Sequence, residues 1–161
     1  MIETHPMQDL IRQHAVLATI GDDVAAMLAG CAQNVVFRDG EALMREGTPA
    51  DRFYLVRSGR VAVETAVPGR GVAIIQTAEA GEAVGLSWLV PPYQTDFGAR
   101  AVGLVRALSF DTACLRMKCD ADPHVGYELY KCLLPALVER LRTARYQSLD
   151  LYATGAEQAG P

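Results

Sequence analysis

Residues 35–64 read VVFRDGEALMREGTPADRFYLVRSGRVAVE. Two apolar runs, Arg52-Phe53-Tyr54-Leu55-Val56 and Arg60-Val61-Ala62-Val63-Glu64, flank Ser58-Gly59. Their β-branched and aromatic side chains suit a pleated, packed surface. A glycine between two such runs predicts a hairpin, because it takes a positive φ without a Cβ clash. Gly40 and Gly47 punctuate the preceding runs in the same way, and Asp51 is placed to bond nearby turn amides. Further along the chain, Pro68-Gly69-Arg70-Gly71 reads as a second turn and Val72 to Gln76 as another strand. Gly81 marks the next approach, and Arg100 to Phe110 reads as a strand pair broken near Gly103. Many short strands at this spacing predict a sandwich or barrel.

Helical signals bracket this β-rich centre. Met7 to Ala32 reads as a broken helical stretch, with a turn at Thr19-Ile20-Gly21. Asp22 or Asp23 then caps a helix that carries Val24, Met27 and Leu28 on one face. At the other end Asp122 is a good N-cap and Pro123 suits the first helical position. Apolar residues recur at Leu129, Leu133, Leu137 and Leu141, which fits one face of a helix. Pro135 lies inside that pattern and is expected to kink or divide it, since it removes one backbone hydrogen bond. Four segments follow: an N-terminal helical segment over 1–34, a β-roll over 35–115, a C-terminal helical segment over 116–152 and a flexible Ala/Gly/Pro-rich tail over 153–161.

Composition narrows the function. The 161 residues suit one domain. A net charge of -4 argues against a nucleic-acid-binding protein, which carries a basic footprint. The first residues lack the apolar core of a secretory leader, and no run approaches a membrane span. These features point to the cytoplasm and to no membrane contact. Cys31, Cys114, Cys119 and Cys132 are then expected as reduced, structural thiols. Cys114, Cys119, His124 and Cys132 match no zinc-ligand spacing, so no metal site is assigned. His5, His14 and His124 lie outside the roll, and no nucleophile–base pair or phosphate loop emerges. The chain does not read as an enzyme.

The stretch quoted first resembles the opening half of the cyclic-nucleotide-binding domain of catabolite-activator-type regulators, kinase regulatory subunits and gated channels. The matching residues are Phe37, Gly40-Glu41, Glu46-Gly47, Asp51, Tyr54 and Ser58-Gly59, in order and with family-like spacing. The resemblance extends from about Leu10 to Tyr152. It implies an α+β, mainly β fold: a double-stranded β-helix, or jelly-roll-like barrel, with N-terminal helices and a C-terminal helix. These residues build the roll and contact no ligand. The Ser-Trp-Leu and Pro-Pro-Tyr stretches are similar to those of stand-alone bacterial proteins of the catabolite-activator/fumarate-nitrate-regulator (Crp/Fnr) family.

The resemblance also implies a pocket. In the family a Gly-Glu pair opens a short helix, the glutamate takes the ribose hydroxyl, and an arginine pairs with the cyclic phosphate. The matching stretch here is Val84-Gly85-Leu86-Ser87-Trp88-Leu89-Val90. Gly85 keeps the glycine, whereas Leu86 stands where the acid would be. Thr95, followed by Asp96 and Phe97, stands where the arginine would be. The ligand-binding set is therefore Val84, Gly85, Leu86, Ser87, Trp88, Thr95, Asp96 and Phe97. A cyclic nucleotide or another flat, nucleotide-like molecule is the ligand class implied. Losing the acid leaves a hydroxyl unpaired, at about 1–3 kcal/mol. Losing the charged partner costs about 2–5 kcal/mol. A micromolar ligand has roughly 8 kcal/mol in all, so binding would fall to millimolar or weaker. Strand alternation puts Phe97 inside and Arg100 in solvent. Arg70 sits in a hairpin turn, and nothing in the sequence requires it to fold over the mouth. Two roles stay open for Trp88: a wall of the pocket together with Pro91-Pro92-Tyr93, or a plug of the barrel.

The C-terminal helix carries the output. Val138, Leu141, Ala144 and Leu151 are expected to meet a second copy or a protein partner, and Arg140, Arg142 and Arg145 to form a solvated face. The nine residues Ala153 to Pro161 are too few for a recognition helix, so no direct DNA contact is expected. The implied function is that of a stand-alone regulatory sensor in signal transduction. The alternative is a degenerate domain that binds no ligand and serves protein–protein assembly.

Overall fold

The computed structural model describes residues 6–157. The chain runs α1 (Met7–Gln13), a 3₁₀ turn (Ala15–Leu17), α2 (Asp22–Ala29), β1 (Ala32–Phe37), β2 (Ala42–Met44), β3 (Arg52–Val67), β4 (Gly71–Glu79), β5 (Ala83–Val84), a second 3₁₀ turn (Leu86–Leu89), β6 (Gly98–Asp111), α3 (Thr112–Ala121) and α4 (Pro123–Glu157). All strand pairs are antiparallel, in the order β1-β6-β3-β4, with β2 added to β6 and β5 to β3. This is the expected α+β roll with helices at both ends.

The expected hairpin at Ser58-Gly59 does not form. Both flanking runs belong to the single strand β3, which pairs with β6 from Arg52↔Asp111 to Glu64↔Gly98. β6 is likewise one strand, and Gly103 does not break it. Gly59 takes its positive φ of 88° to bend a continuous strand, and the register slips on either side of Ser58. A Cβ at Gly59 would lie 2.3 Å from the Leu104 carbonyl oxygen. The two long strands therefore cross here at a distance that admits no side chain. The reversal of direction comes later, at Pro68 to Arg70, where the Arg70 N–H donates to the Val67 carbonyl at 3.0 Å.

The first half of β3 is buried on both faces, which explains its unbroken apolar run. Phe53 and Leu55 face a core shared with Leu17, Leu28, Leu108, Phe110, Leu115 and Leu129. Tyr54 and Val56 face the interior of the roll, with Leu43, Val61, Val84 and Val105. The Tyr54 hydroxyl donates to the Leu43 carbonyl at 2.9 Å and so needs no other partner there. Asp51 contributes through its main chain: its carbonyl accepts from the Thr112 N–H at 3.0 Å.

Several expectations at the ends need correction. Gly21, not Asp22 or Asp23, is the N-cap of α2, and the two acids occupy its first turn. β1 begins at Ala32 and β6 ends at Asp111, so the roll is displaced by a few residues from 35–115. Asp122 does cap α4, accepting from the His124 N–H at 3.0 Å. α4 runs through Pro135 undivided and continues to Glu157. The tail expected from Ala153 is thus helical as far as Glu157, and 158–161 lie outside the described residues, as does His5. Cys31 and Cys114 are not free thiols but form a disulfide. Ala32 pairs with Phe110, so the residue before β1 and the first turn of α3 come together, with Cα atoms 5.7 Å apart. Cys119 and Cys132 are free and buried. No group of three metal-ligating side chains forms among the described residues.

His14 ties the N-terminal helices to the roll. Its Nε2 lies 2.8 Å from the Val56 carbonyl, and its Nδ1 accepts the Val16 N–H at 3.2 Å. One nitrogen donates and the other accepts, so the pair of contacts selects the neutral ring. Burial pushes the pKa below its ordinary 6.5. The unfolded chain therefore binds the extra proton first, and stability falls as pH drops through 6.5 toward the folded value.

Two outcomes follow. Gly59→Ala is expected to lower the unfolding free energy by about 2–4 kcal/mol, and Gly103→Ala by only about 1–2 kcal/mol, since open space surrounds the latter. Urea unfolding of both variants checks this. In the same assay His14→Gln is expected to flatten the loss of stability between about pH 7.5 and about pH 5.5 relative to the parent.

Candidate functional site

Gly85 sets the geometry of the site. It takes φ 90° and ψ 48° and turns β5 into the second 3₁₀ turn. A Cβ there would meet Met44 Cε at 2.8 Å and the Arg52 carbonyl at 3.3 Å. Backbone conformation and crowding both demand glycine at this point. The turn that follows borders a cavity of about 360 Å³. Its floor is the roll, through Met44, Val63, Ile75 and Gln76. Its near wall is Val84 to Ser87 with Thr95 and Phe97, and its roof is α4, through Arg140, Thr143, Ala144 and Gln147.

Six of the expected ligand-binding residues are thus brought together: Val84, Gly85, Leu86, Ser87, Thr95 and Phe97. Leu86 and Thr95 are both buried. Thr95 is fixed by its main chain, which exchanges 2.8 Å hydrogen bonds with Gly47 and Thr48. Phe97 is not inside, as alternation suggested, but 45% exposed at the rim, because β6 begins only at Gly98. Ala99 and Ala101 are buried, and Arg100 points away, donating to the Gly40 carbonyl at 2.6 Å. Asp96 is exposed and stands outside the wall, where it accepts from the Ser87 hydroxyl at 3.4 Å.

Trp88 does not reach the cavity. Its ring is fully buried on the opposite side of the 3₁₀ turn, stacked on Phe53 at 5.7 Å, with Phe53 on Phe110 at 4.8 Å. Tyr130 of α4 lies 6.3 Å away. Trp88 is therefore a core residue that joins roll, turn and helix. Its Nε1–H has no partner among the described residues. The Pro91-Pro92-Tyr93 loop is also turned outward, with the Arg116 guanidinium 4.5 Å from the Tyr93 ring centre and donating to the Trp88 carbonyl.

α4 has two working faces. Residues 140, 143, 144 and 147 follow the i, i+3, i+4, i+7 spacing of one helix face and roof the cavity. The sequence reading grouped Arg140 with Arg142 and Arg145 as solvated. Arg140 is instead half-buried, while the other two are exposed. Burial lowers the Arg140 guanidinium from its ordinary value, and the nearby Glu82 carboxylate opposes that shift. The helix-face spacing was the signal available in the sequence. The other face exposes Leu134, Leu137, Val138 and Leu141, and Leu151 is exposed further along, in line with Ala144 and Gln147. Of the four expected interaction residues, Val138 and Leu141 lie there, Ala144 borders the cavity, and Leu151 is exposed two turns beyond Ala144. No described helix is long and apolar enough to cross a membrane.

Comparison with known proteins gives these features a context. Residues 34–122 match the family model described as the cyclic nucleotide-binding domain. Over 148 residues, 92% of this chain, the sequence is 25% identical to a CRP-like cAMP-activated global transcriptional regulator of Mycobacterium tuberculosis. The match spans 64% of that regulator's length. The fold is that of a cyclic nucleotide-binding domain from Methylobacillus flagellatus, with TM-score 0.76 and 20% identity over 89% of this chain and 83% of that one. The N-terminal domain of a transcriptional regulator from Streptomyces coelicolor gives TM-score 0.63 and 26% identity, covering 84% of this chain and 94% of that one.

The packing of Trp88 is open to direct test by urea unfolding. Trp88→Ala is expected to cost about 3–5 kcal/mol. Trp88→Phe should cost much less, because it also removes an unpaired buried N–H.

Proposed function

Because the chain belongs to the cyclic nucleotide-binding domain family, we propose that it is a regulatory sensor domain in which a small molecule beneath α4 controls the exposed face of that helix. The observation that carries this reading is the shared cavity: one wall is the Val84–Ser87 segment and the roof is α4. A ligand there touches both at once, so occupancy and helix position are thermodynamically linked. The output surface is the stripe Leu134, Leu137, Val138 and Leu141, spaced at threes and fours. Helix seams of this period pair with a second helix, and a second copy of this chain is the simplest partner. Regulation without catalysis accounts for a pocket lined by hydroxyls, amides and apolar groups.

The pocket departs from the family in its chemistry. Leu86 offers no acceptor for a ribose hydroxyl, and Thr95 offers no charge. Cyclic AMP is accordingly not the ligand that this wall is made for.

Calorimetric titration tests the reading. The parent protein is expected to bind cyclic AMP no better than millimolar. The Leu86→Glu, Thr95→Arg double variant should gain at least about tenfold, as two restored polar partners allow. Micromolar binding by the parent would refute the account of the wall. In parallel, sedimentation of a Leu134→Asp, Leu141→Asp variant is expected to show monomer where the parent shows dimer. A parent that is monomeric at all concentrations would remove the proposed output surface.

A further inference from the structure

Arg140 is the charged residue on the wall of the cavity, and no carboxylate lines it among the described residues, although the adjoining cavity that Arg140 also borders is lined by Glu82 and Glu139. It forms no ion pair there: the described ion pairs are Arg12–Asp22, Arg100–Glu64, His124–Asp23 and Arg142–Glu139. The Glu82 carboxylate, which opposes the effect of burial on Arg140, already accepts from the Glu79 N–H. The guanidinium is half-buried and is never deprotonated in a protein. A partly desolvated, unpaired charge facing a cavity favours an anion that brings the missing partner.

The rest of the cavity carries no formal charge and is mostly apolar, interrupted by Gln76, Ser87 and Thr95. Met44, Val63, Ile75, Val84 and Leu86 form its floor and near wall. Thr143 and Gln147 stand beside Arg140 on α4 and can share an anionic head group. The charge thus lies on the helix, while the roll side is neutral and mainly apolar.

We infer that the ligand is an apolar organic anion whose charged head is held by Arg140 on α4 and whose apolar body rests on the Met44–Ile75–Leu86 side. This rests on the proposed sensor reading and specifies its ligand. The charge is taken by the moving helix rather than by the roll. No sugar hydroxyl is required, which fits a leucine at position 86.

Two probes of matched shape test the assignment: anilinonaphthalene sulfonate, which is an anion, and phenylnaphthylamine, which is neutral. Occupancy is located by the methyl NMR signals of Met44 and Ile75, and affinity by fluorescence. The sulfonate is expected to shift both methyl signals in the full chain. Arg140→Gln should weaken it by at least about tenfold and leave the neutral probe within about twofold. Arg140→Lys should recover part of the loss, and Ala144→Trp, which fills the cavity, should abolish both. Decanoate should displace the sulfonate, and cyclic AMP should not.

If Arg140→Gln weakens both probes equally, or neither, the anion anchor is wrong while the ligand site stands. If cyclic AMP competes as well as decanoate, the ligand class is wrong. If neither probe moves the Met44 and Ile75 signals, both the anchor and the sensor reading fall. Circular dichroism of each variant confirms that the fold is retained.

Discussion

The structure depends on one antiparallel ribbon, β3 with β6, that is buried on both faces through its first half. Phe53 and Leu55 close the core beneath the helices, while Tyr54 and Val56 close the interior of the roll. A strand that serves two cores must alternate strictly, because a slip of one residue would exchange every side chain between them. The bend at Gly59 lets the same ribbon leave the helices and go on to wrap the roll. Every other element is placed by reference to it: β5 pairs with its first half, β4 with its second, and the 3₁₀ turn that borders the cavity follows directly from β5. The site is therefore only as well placed as this ribbon is rigid.

Much of this was legible in the residues, and what was not has a common cause. The apolar run, the glycines and the helix caps are local signals, and they located the elements to within a few residues. Ser58-Gly59 misled because a hairpin and a bent strand ask the same thing of glycine. They differ only in which partner each flank finds, and here both flanks find β6. The pairing of Cys31 with Cys114 spans 83 residues and depends on the β1–β6 register. Trp88 looked like a pocket residue because it is two positions from Leu86. A 3₁₀ turn sends neighbouring side chains to different sides, so closeness in sequence did not mean a shared surface.

The site was half visible for the same reason. Its near wall is one short segment, and six of the eight expected residues border the cavity. Its floor comes from three other strands and its roof from a helix more than forty residues further on. Arg140 was readable in principle, since it shares a helix face with Thr143, Ala144 and Gln147. Grouping the arginines by sequence proximity hid that face. The replacement of an acid by Leu86 and of a base by Thr95 looked like a loss. The structure sets the charge of the cavity on α4, opposite Leu86 and Thr95.

The unbroken passage of α4 through Pro135 has a mechanical consequence. Val125, Leu129, Cys132 and Leu133 are buried against the body of the domain, and among the residues whose exposure is described, 135–155, none is fully buried. The proline therefore marks the boundary between a clamped segment and an arm that touches the domain where it roofs the cavity. It also leaves the Lys131 carbonyl without its usual helical donor, which softens the shaft at its root. From Pro135 to Glu157 the arm is about 33 Å long at 1.5 Å per residue. A tilt of about 10° at the root would sweep its tip through about 6 Å, whereas atoms beside Arg140 would move only about 1 Å. The helix thus acts as an amplifier, with the input applied close to the fulcrum and the displacement read at the far end.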